Sequence, residues 1–214
     1  MKKQEQFRIV NISYLVGIII SFLLSFLKLN FQDIYGIISA IKVSSVLTVW
    51  WIFYFNIGWK LPILNKILYK INLNGTWYGQ YESTSPNNDN VVKDDIVIRI
   101  KQSFLSIKVT SYTKKYRNYS HSEELKYDEE ADRYGLIYVY SQKEESALDL
   151  AQRNGTSELV VIKGKDDYRL EGEFWTIIGS KGKLKLTKVS STIIDSFEDG
   201  KKLYKEFEIG KVKK

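Results

Sequence analysis

The sequence predicts an all-β domain, an antiparallel up-and-down β-barrel of about eight strands, preceded by two transmembrane α-helices. Three observations carry this. From Gly75 onward apolar residues recur with a period of two, the alternation of a strand with one buried face. Clusters of turn-forming residues separate the alternating runs. Upstream of Gly75 lie two long apolar stretches nearly free of charge.

The first stretch runs between Arg8 and Lys28 as 19 uncharged residues, IVNISYLVGIIISFLLSFL. At about 1.5 Å per residue a helix of that length matches a bilayer core of roughly 30 Å. It is longer than the apolar region of a signal peptide and has no small-residue cleavage site before the next apolar run. The second stretch, Ile34 to Trp59, is interrupted by Lys42 and ends in Trp50, Trp51, Tyr54 and Trp59, aromatics of the kind found at a membrane boundary. Lys42 either snorkels toward the headgroups or lines a polar path in an assembly. Lysines and Arg8 flank the outer ends of the pair, while the connecting region offers Lys28 against Asp33. The positive-inside rule then places both termini and the β-domain of this two-pass chain in the cytoplasm. Small residues recur every four positions, Ser13, Gly17, Ser21 and Ser25 in the first helix and Gly36, Ala40 and Ser44 in the second. Such faces let helices approach closely in lipid, either within the hairpin or between protomers.

After Pro62 the run ILNKILYKI sets Ile63, Leu64, Ile67, Leu68 and Ile71 on one helical face, which predicts a short interfacial helix or a plain spacer over 62–72. The β-domain follows over 73–189. Ile96, Ile98 and Ile100 alternate with Val97, Arg99 and Lys101. Leu105, Ile107 and Val109 share a face, as do Leu170, Gly172 and Phe174 against Glu171, Glu173 and Trp175. The segments YGLIYVYS, SELVVIK and KLKLTK and a weaker run near Leu125 complete the set, with turns at SPNNDN, RNG, KGKDD and GSKG. Eight strands with polar outer faces close on themselves and enclose side chains or one small ligand, not a channel. The tail 190–214 forms a short helix or frays.

Charge narrows the function. The formal net charge is +7, yet residues 1–72 hold 8 Lys/Arg against 2 Asp/Glu, and residues 73–189 hold 18 of each. The basic excess belongs to the apolar segment, so the β-domain has no bulk attraction for DNA or RNA. With no cysteine and His121 the one histidine, disulfides, thiol nucleophiles and most imidazole metal sites are excluded. Asp94–Asp95 and Asp166–Asp167 read as solvated turn residues, and the Asn-Gly pairs at Asn74 and Asn154 as turn chemistry. No phosphate loop, EF-hand spacing or catalytic constellation is present, so no catalytic residue, metal ligand or cofactor is assigned.

The remaining compositional signal is tyrosine, 15 in the chain, clustered as Tyr78, Tyr81, Tyr112, Tyr116, Tyr119, Tyr127, Tyr134, Tyr138 and Tyr140. A ring with a hydroxyl tip stacks a planar ligand and hydrogen-bonds its edge, although tyrosine is also simply a good strand former. Arg153, at the entrance of the SELVV strand, is placed either to clamp a phosphate or as a solvated turn residue.

Two N-terminal helices, GTWYGQY opening the barrel, IRIKQSFLSIKVTSYT across the second hairpin, then LIYVYS, RNGTSELVV, LEGEFWT and GKLKLTKV in order give a resemblance over residues 8–189. The chain resembles the membrane-anchored β-barrel effectors of bacterial cyclic-oligonucleotide anti-phage signalling (CBASS). These are the SMODS-associated two-transmembrane, β-strand-rich family, CD-NTase-associated protein 15. The resemblance implies a receptor rather than an enzyme. A partner nucleotidyltransferase makes a cyclic dinucleotide, the barrel binds it, the protein oligomerises in the inner-membrane lipid, and membrane disruption causes abortive infection. The ligand-pocket residues then expected are Tyr78, Gln102, Thr110, Tyr138, Tyr140, Arg153, Thr156 and Trp175, and the assembly face is Gly17, Ser21, Ser25, Gly36, Ala40 and Ser44. A second reading stays open: GTW also resembles the opening of lipocalin barrels, and a membrane-tethered carrier of a small hydrophobic ligand would need a wholly apolar lumen.

Overall fold

The computed structural model describes residues 3–30, 43–66, 68–85, 88–144, 154–164 and 167–212. The chain divides into two compact units, Met1–Asn72 with Ser103–Leu105, and Leu73–Gln102 with Ser106–Lys214.

In the first unit, helix α1 spans Lys3–Asn30 and helix α2 spans Val43–Asn56. Ser13 joins them. Its Oγ donates to the Ile9 carbonyl at 2.8 Å and accepts from Trp51 Nε1 at 2.9 Å, so one member of the small-residue stripe works within the hairpin. Gly17 is half-buried and Ser25 exposed on α1. Gly36 and Ala40 lie outside the described residues, as do the side chains of Ser21 and Ser44. Among the described residues no helix is long and apolar enough to cross a membrane. The two spans remain an expectation of the sequence.

After Pro62, where the sequence allows an interfacial helix or a plain spacer, the described residues show no α-helix. Among the described residues the connector makes only short 3-10 turns, Gly58–Lys60 before the proline and Leu64–Lys66 after it. Side chains take the backbone groups a helix would have used. Asn65 Oδ1 accepts the Lys70 N–H at 3.3 Å, and Tyr54 Oη donates to the Leu64 carbonyl at 3.3 Å. Tyr54, Trp59, Leu68 and Phe104 form the core of this unit.

The second unit is the expected barrel: eight antiparallel strands in sequence order, closed by β1 against β8. They are β1 Gly75–Ser85, β2 Asn88–Gln102, β3 Ile107–Tyr112, β4 Tyr116–Asp128, β5 Arg133–Glu144, β6 Gly155–Lys163, β7 Tyr168–Thr176 and β8 Lys181–Ser190. Leu105, expected on β3, lies in the preceding turn and is 62% exposed. His121 is the extra residue of a β-bulge, where the β4–β5 register shifts between Ser120 and Ser122. The Asn74-Gly75 pair starts the barrel as turn chemistry requires. Gly75 has φ 134°, and the Asn74 side chain accepts the Gln102 N–H at 3.0 Å.

The tail forms helix α3, Phe197–Val212. Ser196 caps it: its Oγ accepts the Asp199 N–H at 3.1 Å and donates to Asp199 Oδ2 at 2.6 Å. The helix lies on the outer wall, where Leu203, Tyr204 and Phe207 pack against Tyr78, Val97, Tyr112, Val189, Ile194 and Phe197. The outward apolar residues of β1, β2 and β3, anomalous on a solvated barrel, are the surface that α3 covers.

Candidate ligand-binding site

The barrel interior is graded by side-chain size. At the end where β1 begins and β2 finishes, the inward residues Trp77, Ile98, Ile100, Leu136, Leu159, Leu170 and Leu186 pack with 0–2% exposure. That end is sealed by hydrogen bonds: Trp77 Nε1 donates to the Leu73 carbonyl at 2.9 Å, and the Leu73 N–H donates to Gln102 Oε1 at 2.7 Å. Toward the other end the inward positions become Ser83, Ser111, Ser157, Thr176 and Gly182, and the missing volume opens a cavity of about 530 Å³. This size falls in the range of small-molecule sites, roughly 300–1,000 Å³.

Its walls are aromatic below and polar above. Tyr138 and Tyr140 stand with ring centroids 6.0 Å apart, and Tyr81 meets Phe174 edge-on at 6.4 Å. Gly155 makes room for Tyr140, since a methyl there would come within 2.6 Å of its Cζ. Phe174 leans over Gly182 in the same way, 2.7 Å from where a methyl would be. Burial pushes the Tyr138 hydroxyl up to about 12 against a counteracting bond with Ser157, and burial raises Tyr140 as well. Both rings are neutral hydrogen-bonding surfaces at physiological pH. On β4, Asn118 Nδ2 donates to Ser111 Oγ at 2.8 Å, while Asn118 Oδ1 has no protein partner. Among the described residues the charged ones lining the cavity are Asp94, Lys114 and Lys115, a net of one positive charge. Lys114 Nζ sits 2.9 Å from Asp94 Oδ1, holding that carboxyl below the usual range and raising its own ammonium. Among the described residues no group of three or more acidic or histidine side chains could hold a metal ion.

Of the residues expected from sequence, the structure brings Tyr138 and Tyr140 together on the cavity wall. Gln102 faces inward but at the sealed end. Tyr78 stacks on Tyr204 under α3, with centroids 4.1 Å apart. Thr110 also points outward, its Oγ1 accepting from Arg99 Nη2 at 3.1 Å. Thr156 and Trp175, paired across β6 and β7, occupy the register opposite to the cavity-lining Ser157 and Phe174, and Trp175 is 46% exposed. Arg153 lies outside the described residues.

Asp94 is the main correction. It is not a solvated turn residue but sits within β2, opposite Tyr81, because the β1–β2 hairpin extends to Ser85 and Asn88. The period of two that marks Ile96, Ile98 and Ile100 as inward runs back to Asp94, Val92 and Asn90, all of which line the cavity. Lys114 and Lys115 were not singled out, since the turn between β3 and β4 carries no periodic signal.

A closed barrel, packed at one end and opening at the other into an aromatic, hydroxyl-rich and weakly cationic cavity, defines a receptor for a small, polar, anionic ligand. The family model for "Cap15, cyclic dinucleotide receptor domain" matches residues 70–188, and the chain belongs to that family. The match covers β1 to β7 and most of β8 and makes the barrel a cyclic dinucleotide receptor domain, in agreement with the resemblance seen in the sequence. No curated protein matches the chain.

Proposed function

We propose that the chain is a membrane-anchored effector of anti-phage signalling. A cyclic dinucleotide made by a partner nucleotidyltransferase enters the cavity at the open end of the barrel. The liganded protein self-associates through its apolar N-terminal segment and disrupts the inner membrane. The observation that carries the receptor half is the cavity, whose tyrosines can stack bases and whose lysines can meet phosphates. Base–aromatic stacking contributes about 1–3 kcal/mol per base, and charge-assisted bonds to phosphate add roughly 1.5–3 kcal/mol each. After the cost of immobilising the ligand, micromolar to nanomolar affinity is attainable.

Support for the membrane half is the 19-residue uncharged run between Arg8 and Lys28 and the basic flanks that orient it, with the barrel cytoplasmic. Gly17, Ser21, Ser25, Gly36, Ala40 and Ser44 would form the contact between protomers. The carrier reading loses ground because the cavity wall holds hydroxyl, amide and charged groups where an apolar lumen was required. We predict that the full-length chain in mild detergent melts higher with one member of a panel of cyclic dinucleotides, by about 2.7 kcal/mol at a hundred times its dissociation constant. The same nucleotide should release dye from vesicles containing the protein. Stabilisation by fatty acids alone would reject the receptor reading, and stabilisation without leakage would reject the membrane half.

A further inference from the structure

The ion pair at the cavity mouth bears on how the ligand is selected. Asp94 is held by the strand: β2 fixes its backbone, its side chain is 32% exposed, and the same Oδ1 that meets Lys114 also accepts the Asp95 N–H at 2.8 Å. Lys114 is the movable partner. It lies in the turn between β3 and β4, and its side chain is 55% exposed. Thr113 pins that turn, its N–H donating to the Tyr116 carbonyl at 2.9 Å and its Oγ1 accepting the Tyr116 N–H at 3.0 Å. The backbone is therefore fixed while the four-carbon stem is free to swing. Lys115, the next residue, lines the same cavity.

A phosphate approaching Lys114 meets an ammonium already committed to a carboxylate. Exchanging one anion for another there gains little, because Asp94 is left ionised and uncompensated beside the incoming charge. A ligand with a second phosphate in reach of Lys115 recovers the loss; one with a single charge does not. Resting on the cyclic dinucleotide reading of this cavity, we propose that Asp94 is a built-in competitor for the ligand's phosphates, holding Lys114 across the mouth and selecting doubly charged over singly charged nucleotides. This lining residue opposes binding, so removing its charge tightens the complex.

The test is isothermal titration of the full-length chain in detergent with 3′,3′-linked cyclic di-AMP, cyclic di-GMP and cyclic di-UMP, and with cyclic AMP as the singly charged probe. Asp94→Asn should tighten the best-bound dinucleotide about twofold to fivefold, as expected for freeing a partly exposed ion pair. It should narrow the gap to cyclic AMP. Lys114→Met should weaken the dinucleotide, and the double variant should match Lys114→Met, since Asp94 acts only through that lysine. Equal or weaker binding by Asp94→Asn in a chain whose wild type binds overturns the competitor and leaves the receptor reading intact. Should no dinucleotide bind the wild type, the receptor reading falls and this inference falls with it.

Discussion

Gly200 of α3 lies directly against Val97 of the barrel wall. A methyl built on it would collide with Val97 Cγ1, lie 2.7 Å from Cγ2 and lie 3.1 Å from the Val97 Cβ. Val97 is fully buried, so it cannot turn away into solvent. Gly200→Ala therefore sets two effects against each other. Helix propensity favours alanine by about 1 kcal/mol, and overpacking a buried contact costs about 1–3 kcal/mol. The steric term wins, and α3 should loosen by up to about 2 kcal/mol. Val97→Ala alone removes two buried methyls, worth about 0.8 kcal/mol each before any cavity term. In the double variant the two nearest clashes are gone, the remaining contact with the Cβ at 97 is relieved by a shift of a few tenths of an ångström, and the new methyl fills the space the valine left. The double variant should thus be more stable than the sum of the singles by about 1–3 kcal/mol. Thermal melting of the four chains reads this as a recovery of several degrees, at about 2–4 °C per kcal/mol for a chain of this size. Hydrogen exchange over 197–212 shows whether the loss is confined to α3. Strict additivity would mean that Gly200 does not touch Val97, and the docking of α3 described above would be refuted.

Tyr138, whose hydroxyl is pushed up to about 12 by burial, binds its proton more tightly folded than unfolded. Its contribution is complete below pH 10 and is lost as pH rises toward 12, so alkaline melts should show a stability loss in that window that is reduced in Tyr138→Phe. Asp94 has the opposite sign: its carboxyl is depressed by Lys114, so the pair's stabilisation is present at neutral pH and disappears as pH falls below the usual carboxylate range. Melts of Asp94→Asn and wild type should converge in acid. Trp175→Ala and Tyr78→Phe change side chains on the outer wall, and titration should give them wild-type ligand affinity, whereas Tyr140→Ala should lose about tenfold or more by removing a stacking surface. Gly17→Leu should reduce dye release from vesicles while leaving nucleotide affinity in place, and equal loss of both would contradict a division of labour between anchor and receptor.

The barrel was legible because its signal is a period. Ile96, Ile98 and Ile100 mark one face of β2, and each of the other strands repeats the pattern or a weaker form of it. The same alternation held more about the site than was drawn from it. Leu170, Gly172 and Phe174 already set Trp175 on the opposite face, and Val97 with Arg99 set the outward side of β2 against which Tyr78 pairs. Tyr78, Thr110, Thr156 and Trp175 were chosen for ligand chemistry without that parity and lie on the outward face, whereas Tyr138 and Tyr140 share the inward face of Leu136. Asp94 was lost to a residue-type prejudice, two adjacent aspartates being commoner in turns than in strands.

What the period does not carry is size. Inward residues at both ends of the barrel obey the same alternation, yet at one end they are Trp77, Leu136 and Leu159 and at the other Ser111, Ser157 and Gly155. The first set closes the lumen and the second opens it, so the position of the cavity follows from volume along the barrel axis rather than from hydropathy. A hydroxyl at an inward strand position reads as a defect in an apolar stripe. Here several such residues converge on one end from β1, β3, β6 and β7, a relation fixed by the closed register and absent from any single strand. The charged groups arrive by another route, Asp94 from β2 and Lys114 from the turn between β3 and β4, some twenty residues apart. Their meeting is a product of the β2–β3 pairing, which is why this pair lining the cavity becomes visible only once the barrel is closed.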